Sequence, residues 1–100
     1  MPKLNMTVSH RLSPDEALRR IKGLLDEVKT EFAGTISDLS EQWDGNIGYF
    51  NLRAKGFSVS GTLTVKPREV ELSGNLPFAA LPFRGKIESA IRSRAEKLLA

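Results

Sequence analysis

Few residues of this chain could do chemistry. The sequence has one histidine, His10, and no cysteine, so a metal site of the two-histidine or three-histidine kind is excluded within one chain, as are a disulfide and a thiolate nucleophile. Asp38, Glu41 and Asp44 lie close together in the sequence, and two such carboxylates could act as an acid and a base. Acidic side chains beside a turn are, however, far more often solvated surface groups than a catalytic pair. We therefore expect no catalytic residues, no metal and no cofactor.

Hydroxyl side chains and glycines are numerous, but neither forms a known catalytic pattern. Ser58, Ser60, Thr62 and Thr64 alternate with apolar residues and have no G-x-S-x-G context, so they are typical of the wet face of a strand. The glycines match neither a P-loop nor a dinucleotide fingerprint. The chain is expected not to be an enzyme. A weak enzyme on hydroxyacyl substrates would need the acids or His10 to gather in one pocket.

The charge is unevenly distributed. The net charge of the chain is +3. Residues 84–99 carry five basic and two acidic side chains, so the charge of this segment alone equals the net charge of the whole chain. Trp43, Tyr49, Phe50 and Phe57 could stack on nucleobases, but the basic residues are not interleaved with them. We therefore expect no nucleic-acid partner. The basic and apolar faces of this terminal helix could rest on an amphipathic surface such as a lipid-coated particle, whereas packing of its apolar face on the sheet is the commoner arrangement, and the two are compatible if the end of the helix stays exposed.

The pattern that organises the fold is the stretch 56–75. Apolar residues alternate with polar ones on both sides of Lys66-Pro67-Arg68, which predicts an antiparallel hairpin with one dry face. Further strands are predicted over 3–11, 35–43 and 47–54, with Asp44-Gly45-Asn46 as a hairpin turn. The fold class is therefore α+β: an antiparallel sheet of about five strands covered on one face by two helices, in the order β-α-β-β-β-β-α, as a single domain over residues 1–100.

The two helices are predicted over 13–32 and 83–99. The first starts with Ser13 as N-cap and Pro14 at the first helical position, and Glu16 is placed to reach back to the cap amide. In the second, Arg94 falls within the apolar stripe, where a charge is costly unless it meets a carboxylate or an anion or extends to solvent. Between sheet and helix, 76–83 is an apolar linker with two prolines. We expect it to lie over the end of the core.

No apolar run approaches the roughly 20 residues of a membrane span, and the first ten residues lack the apolar core of a signal peptide. These features and the absence of cysteine are typical of a cytoplasmic protein. His10 shares the strand parity of Leu4, Met6 and Val8, and we expect a partly buried histidine without a catalytic role.

Four stretches resemble one known family, the polyhydroxyalkanoic acid system proteins, also called polyhydroxyalkanoate granule-region proteins. They are VSHRLSPDEALRRI at 8–21, WDGN at 43–46, GFSVSGTLTV at 56–65 and LPFRGKIESAIRSRAEKLL at 81–99. The resemblance spans almost the whole chain. None of these motifs is a catalytic signature, so it carries over no functional residues. It implies a bacterial, cytoplasmic protein that acts at or near the storage granule.

From this resemblance we expect a non-enzymatic accessory protein of polyhydroxyalkanoate storage metabolism. Its expected partners are the polyester granule surface or its coat proteins, and a homodimer is an open alternative. The alternative function is a small helix-grip-like module that holds an apolar or acyl ligand between the last helix and the sheet, where Arg94 could meet a carboxylate. The candidate surface or ligand contacts are Phe78, Leu81, Phe83, Arg84, Arg94 and Trp43.

Overall fold

A computed structural model describes residues 3–54 and 56–100 as one antiparallel sheet with helices on one face. The five strands are β1 (Lys3–Ser9), β2 (Ile36–Asp44), β3 (Ile47–Ala54), β4 (Phe57–Val65) and β5 (Glu69–Asn75). The helices are α1 (Pro14–Ile21), α2 (Leu24–Glu31) and α3 (Arg84–Leu99), and a 3-10 helix (Phe78–Phe83) precedes α3. The predicted fold class and element order are confirmed.

The strand order is β1-β5-β4-β3-β2, so β1 and β2 form the two edges. The β4–β5 hairpin pairs Val65 with Val70 across the predicted polar turn. At the other predicted turn, Gly45 adopts a φ of 61°, a conformation that glycine adopts without steric cost. In β1 and β5 the apolar residues are buried beneath the helical layer, and most of the polar residues between them are exposed, as the alternation indicates.

The first helical segment differs from its prediction because it is divided at Lys22-Gly23 into α1 and α2. The Gly23 amide bonds to the Arg20 carbonyl at 3.1 Å, which is the tighter i to i+3 pattern that ends a helix. Glycine is a poor helix former, so interrupting the helix costs least at this position. The Ser13 hydroxyl accepts from the Glu16 amide at 3.2 Å, which confirms the N-cap, but the Glu16 carboxylate binds Arg19 and Arg20 instead.

Strand β2 contains an irregularity that the sequence pattern did not predict. The pairing of β2 with β3 shifts between Ile36 and Asp38, so one extra residue, Ser37, lies on the edge strand. Such a bulge reverses the parity of the side chains that precede it. Ile36 is therefore buried on the same face as Leu39 and Trp43, although their spacing in the sequence places them on opposite faces.

Helix α3 lies over one side of the sheet and contacts β1, α1 and α2. Its buried residues are Ile91, Ala95 and Leu99, which recur every fourth position along one face. This face is rotated from the predicted apolar stripe, within which Arg94 falls. Phe83 is 52% exposed and lies outside the core.

Two arginines connect α3 to other elements through backbone carbonyls. Arg92 donates to the Thr7 carbonyl of β1 at 3.2 Å. Arg20 of α1 donates to the carbonyls of Leu98 at 3.2 Å and Ala100 at 2.8 Å, where a cation also complements the negative end of the helix dipole. The second half of α3 is thus fixed to the rest of the fold at its side and at its end.

Candidate functional site

An apolar patch is formed by Phe78, Leu81 and Phe83 of the 3-10 helix. Their side chains are 70%, 39% and 52% exposed. A 3-10 helix has three residues per turn, so Phe78 and Leu81 lie above one another on the same side. Leu76 and Ala80 are buried at 0% and 2% exposure and hold the segment against the core. The patch is therefore a fixed feature of the surface, and exposed apolar side chains grouped in this way are typical of an interaction site.

Basic side chains follow the apolar patch directly at the start of α3. Arg84 Nε lies 3.0 Å from Glu88 Oε1, and Lys86 is exposed. An exposed pair one helical turn apart contributes only a few tenths of a kcal/mol, so Arg84 can exchange Glu88 for another anion at little cost. The apolar patch is thus followed directly in the chain by exposed basic side chains.

Arg94 lies on the side of α3 that faces α2. Its Nε donates to Glu31 at 2.6 Å, and its guanidinium lies 3.7 Å from Glu27. These carboxylates, Glu31 first, raise the pKa of Arg94 above its usual range. The charge within the predicted apolar stripe is thus explained by two carboxylates of α2. A ligand carboxylate at Arg94 would have to displace them.

Trp43 lies on the inner face of β2, beside Glu41 at the position two residues before it. Its indole ring covers Gly48 of β3, where an added Cβ would lie 2.7 Å from ring atoms. Lys22 Nζ is 5.8 Å from the centre of the same ring, within the range of a cation–π contact. Trp43 therefore joins the β2 edge of the sheet to the junction between α1 and α2.

The predicted acidic candidates do not converge. Glu41 is on the inner face, directly opposite Phe50 of β3, whereas Asp38 and Asp44 are exposed. His10 follows the other edge strand, so three strands separate it from β2, a distance of roughly 19 Å at about 4.8 Å per strand. In the sequence, Glu41 stands out only as one of three neighbouring acids. The shared parity of Leu39, Glu41 and Trp43 was the signal that could have placed it on the apolar face.

His10 is buried at 7% exposure, and both ring nitrogens have partners. Nε2 lies 2.9 Å from the Lys66 carbonyl, and Nδ1 accepts from the Leu12 amide at 3.1 Å. Because Nδ1 accepts this bond, Nε2 is assigned as the nitrogen that donates to the carbonyl. His10 joins the end of β1 to the turn between β4 and β5, as expected for a histidine with a structural role.

Two surface depressions stand out in the described part of the chain. One, of about 690 Å³, is lined by His10, Leu12 and the turn residues Pro67 and Arg68, among others. The other, of about 360 Å³, lies on the outer sheet face and includes Asp38 and Arg53. Neither lies between α3 and the sheet, which is where the helix-grip alternative needs a ligand.

Metal-binding clusters and membrane-spanning helices are both absent from residues 3–54 and 56–100. Within these ranges no three histidine or acidic side chains are grouped so that they could hold a metal ion. In the same ranges, no helix has the length and apolar character needed to cross a membrane.

Comparison with protein families gives one match over nearly the whole chain. Residues 4–99 match a family described as "Putative polyhydroxyalkanoic acid system protein". No curated protein matches the sequence.

Solved structures provide similarity of fold. The chain is similar to the Aha1 dimer from Colwellia psychrerythraea, with 14% identity, a TM-score of 0.53 and coverage of 99% of this chain and 97% of that one. TTHA0849 from Thermus thermophilus has 16% identity and a TM-score of 0.45, covering 98% and 92%. Ara h 8.0201 has 9% identity and a TM-score of 0.41, covering 98% and 97%. The similarity to Aha1 places the chain among helix-grip-like folds and carries no activity with it.

Proposed function

Because this chain belongs to the polyhydroxyalkanoic acid system protein family, we propose that it is a non-enzymatic accessory protein that binds at or near the surface of polyhydroxyalkanoate granules in the cytoplasm. The observation that carries the proposal is the apolar patch of Phe78, Leu81 and Phe83, held outward by the buried Leu76 and Ala80. Burying a fully exposed Leu or Phe side chain stabilises binding by about 1.5 to 3 kcal/mol, and these partly exposed side chains can contribute a fraction of that when they bury against an apolar particle.

The basic start of α3 supports the same orientation on a particle. Arg84 follows the apolar patch directly in the sequence, so a molecule that inserts the patch brings this cation close to the particle surface, whereas Lys86, two positions on, projects from another side of the helix. An amphipathic element binds an interface through buried apolar area together with attraction to surface anions. Both contributions come from one continuous stretch, residues 78–86.

The test is co-sedimentation with purified polyester particles. Wild type is expected to pellet with the particles, and a variant carrying Phe78→Ser, Leu81→Ser and Phe83→Ser is expected to remain largely in the supernatant. Tyr49→Ser is the matched control, because Tyr49 is a similarly exposed aromatic, at 50%, on the outer sheet face. An unrelated protein of similar net charge reports purely ionic adsorption. Equal sedimentation of wild type and the triple variant would count against the proposal.

The helix-grip alternative rests on the fold alone. It requires a ligand between α3 and the sheet, with Arg94 exchanging Glu31 for the ligand carboxylate. Native mass spectrometry of the purified protein and a thermal shift on adding hydroxyacids or fatty acids test this possibility. The Aha1 structure is that of a dimer, and for this chain a homodimer remains a proposal that sedimentation equilibrium checks.

A further inference from the structure

The larger surface depression is lined by two arginines without a carboxylate partner. It measures about 690 Å³ and lies where the end of β1 meets the turn between β4 and β5. Arg11 lines it from the segment after β1, and Arg68 lines it from the turn. Within the described part of the chain, neither guanidinium forms a salt bridge. Four other arginines are each bound to a glutamate: Arg19, Arg20, Arg84 and Arg94.

The acidic side chains near these arginines leave the positive charge of the depression in place. Asp15 and Glu69 are close to them in the sequence, but neither lines the depression. The carboxylate of Glu16 is bound by two arginines of its own helix, and that of Glu71 is bound by Lys66. A concave surface lined by one sign of charge attracts ions of the opposite sign, so the depression is complementary to an anion.

The two segments that carry the arginines are joined by His10. Its amide donates to the Arg68 carbonyl at 2.9 Å. Its ring donates through Nε2 to the Lys66 carbonyl at 2.9 Å and accepts at Nδ1 from the Leu12 amide. The backbone on either side of Arg11 and that of the turn therefore cannot separate without breaking these bonds. A site whose backbone is already in place loses less conformational freedom when a ligand binds.

The two cations and the volume of the depression indicate the kind of anion. A phosphate monoester carries nearly two negative charges at neutral pH and presents three acceptor oxygens, so it can accept from two guanidinium groups at once. A carboxylate carries one charge and presents two oxygens, which a single arginine satisfies. The volume lies within the roughly 300–1,000 Å³ of small-molecule sites, so there is room for an organic part beside the phosphate.

We propose that this depression binds a soluble phosphate monoester. Arg11 and Arg68 bind the phosphate oxygens, and the apolar side chains of Leu12 and Pro67, which also line the depression, contact the organic part of the ligand. His10 is a positioning residue, because it acts through the backbone that carries the two arginines.

The surroundings of the depression favour a soluble ligand over a lipid headgroup. Binding at a lipid surface depends on apolar side chains that insert beside the charged groups. In residues 3–54 and 56–100, the exposed large apolar side chains are Tyr49 and the apolar patch. The patch follows the far end of β5, about 20 Å away for a strand of seven residues. The phosphate site and the particle-binding surface can therefore be tested separately.

Titrations followed in 1H–15N spectra test the site, at about 0.15 M salt so that attraction between distant charges is screened. Phenyl phosphate is expected to shift the amide signals of Arg11, Leu12 and Arg68. Benzoate, which has the same ring with a carboxylate, and inorganic phosphate, which lacks the ring, are both expected to bind more weakly. Vesicles containing phosphatidic acid, whose headgroup is also a phosphate monoester, test the lipid source.

The variants Arg11→Gln and Arg68→Gln each remove one guanidinium. We expect each to weaken binding of phenyl phosphate about tenfold, because hydrogen bonds to charged groups are among the stronger ones. Both side chains are exposed, so the melting temperature should stay close to that of wild type. Arg53→Gln is the matched control, since it makes the same change of charge at an exposed arginine of the outer sheet face.

The control variant is expected to bind phenyl phosphate like wild type. An equal loss of affinity in Arg53→Gln would overturn the proposal, because it would reduce the effect to net charge. Unchanged affinity in both Arg11→Gln and Arg68→Gln, or benzoate binding as tightly as phenyl phosphate, would overturn it as well. Binding to the phosphatidic acid vesicles without any shift by phenyl phosphate would exclude a soluble ligand.

Discussion

His10 stabilises the fold through one side chain that bonds in two directions. The ring connects Lys66 and Leu12, and the His10 amide donates to the Arg68 carbonyl at 2.9 Å. A buried histidine with both nitrogens satisfied fixes its neighbours, because every rotation of the ring breaks a bond. The lone histidine thus orients the path from β1 into α1.

We predict that His10→Ala lowers the free energy of unfolding by about 1 to 3 kcal/mol, because it leaves the Leu12 amide and the Lys66 carbonyl without their side-chain partner. Urea denaturation monitored by Trp43 fluorescence measures the change. Arg11→Ala, at the exposed neighbouring position, is the control and is expected to stay within about 0.5 kcal/mol of wild type. Similar values for the two variants would show that the His10 bonds contribute little.

The carboxylate of Glu16 binds two cations, and this predicts a specific pH dependence. Its hydrogen bonds to Arg19 and Arg20 lower the pKa of Glu16 to about 2. Because the pKa of Glu16 is lower in the folded state than the unfolded value of 4.5, its ionised carboxyl stabilises the fold above pH 4.5. This stabilisation is lost as the pH falls from 4.5 to about 2.

We therefore expect the difference in melting temperature between wild type and Glu16→Gln to be largest above pH 5 and to shrink as the pH falls towards 2. The group is exposed, so the effect is small and decreases with added salt. An NMR titration of the Glu16 carboxyl measures its pKa directly. A midpoint near 4.5 would contradict the ion-pair geometry.

Strand pairing in the centre of the sheet depends on a glycine without room for a side chain. An added Cβ at Gly61 of β4 would lie 2.3 Å from the Ser73 carbonyl oxygen and 3.0 Å from Phe50 Cζ. The Phe50 ring thus occupies the space that a side chain at position 61 would fill. A side chain at position 61 would therefore collide with the backbone of β5.

We predict that Gly61→Ala destabilises the fold by about 1 to 3 kcal/mol or more, because the close contacts are with backbone atoms that cannot move away cheaply. Gly34→Ala is the matched control, since no atom lies within 4 Å of its added Cβ, and we expect it to be neutral or slightly stabilising. Thermal unfolding of both variants checks the difference. A Gly61→Ala protein as stable as Gly34→Ala would mean that the sheet relaxes more easily than its packing indicates.

At the scale of elements, local signals predicted most of the sheet. The alternation in 56–75 and the turn at Gly45 depend on neighbouring residues, so a sequence pattern suffices for them. The break at Gly23 was missed because the apolar stripe continues through it, from Ile21 to Leu24. The bulge at Ser37 was missed because only the pairing with β3 shows that Ile36 faces the core.

At the scale of the whole molecule, the unpredicted features are contacts between distant parts of the chain. Arg94 was singled out as an anomaly, but its partners Glu27 and Glu31 lie more than sixty positions earlier, on another helix. The placement of Trp43 under Lys22 depends on the same docking of helices on the sheet. Spacing along the chain does not contain this information, because tertiary packing selects which faces meet.

The distribution of charge predicts how particle binding responds to salt. The basic excess lies in residues 84–99, so attraction to particles coated with anionic phospholipid should weaken when the ionic strength is raised from about 0.01 M to 1 M, since the Debye length falls from about 30 Å to 3 Å. The contribution of the apolar patch is not screened. We expect co-sedimentation of wild type to decrease but persist at high salt. Complete loss at high salt would show that the patch contributes nothing.

The two edges of the sheet are blocked in different ways. At β1, Arg92 of α3 donates a hydrogen bond to the Thr7 carbonyl. At β2, the extra residue Ser37 and the inward-pointing carboxyl of Glu41 oppose the addition of another strand. Proteins gathered on a particle reach local concentrations at which exposed strands of neighbouring copies can join into fibrils. Both terminal strands of this sheet therefore carry features that resist such growth.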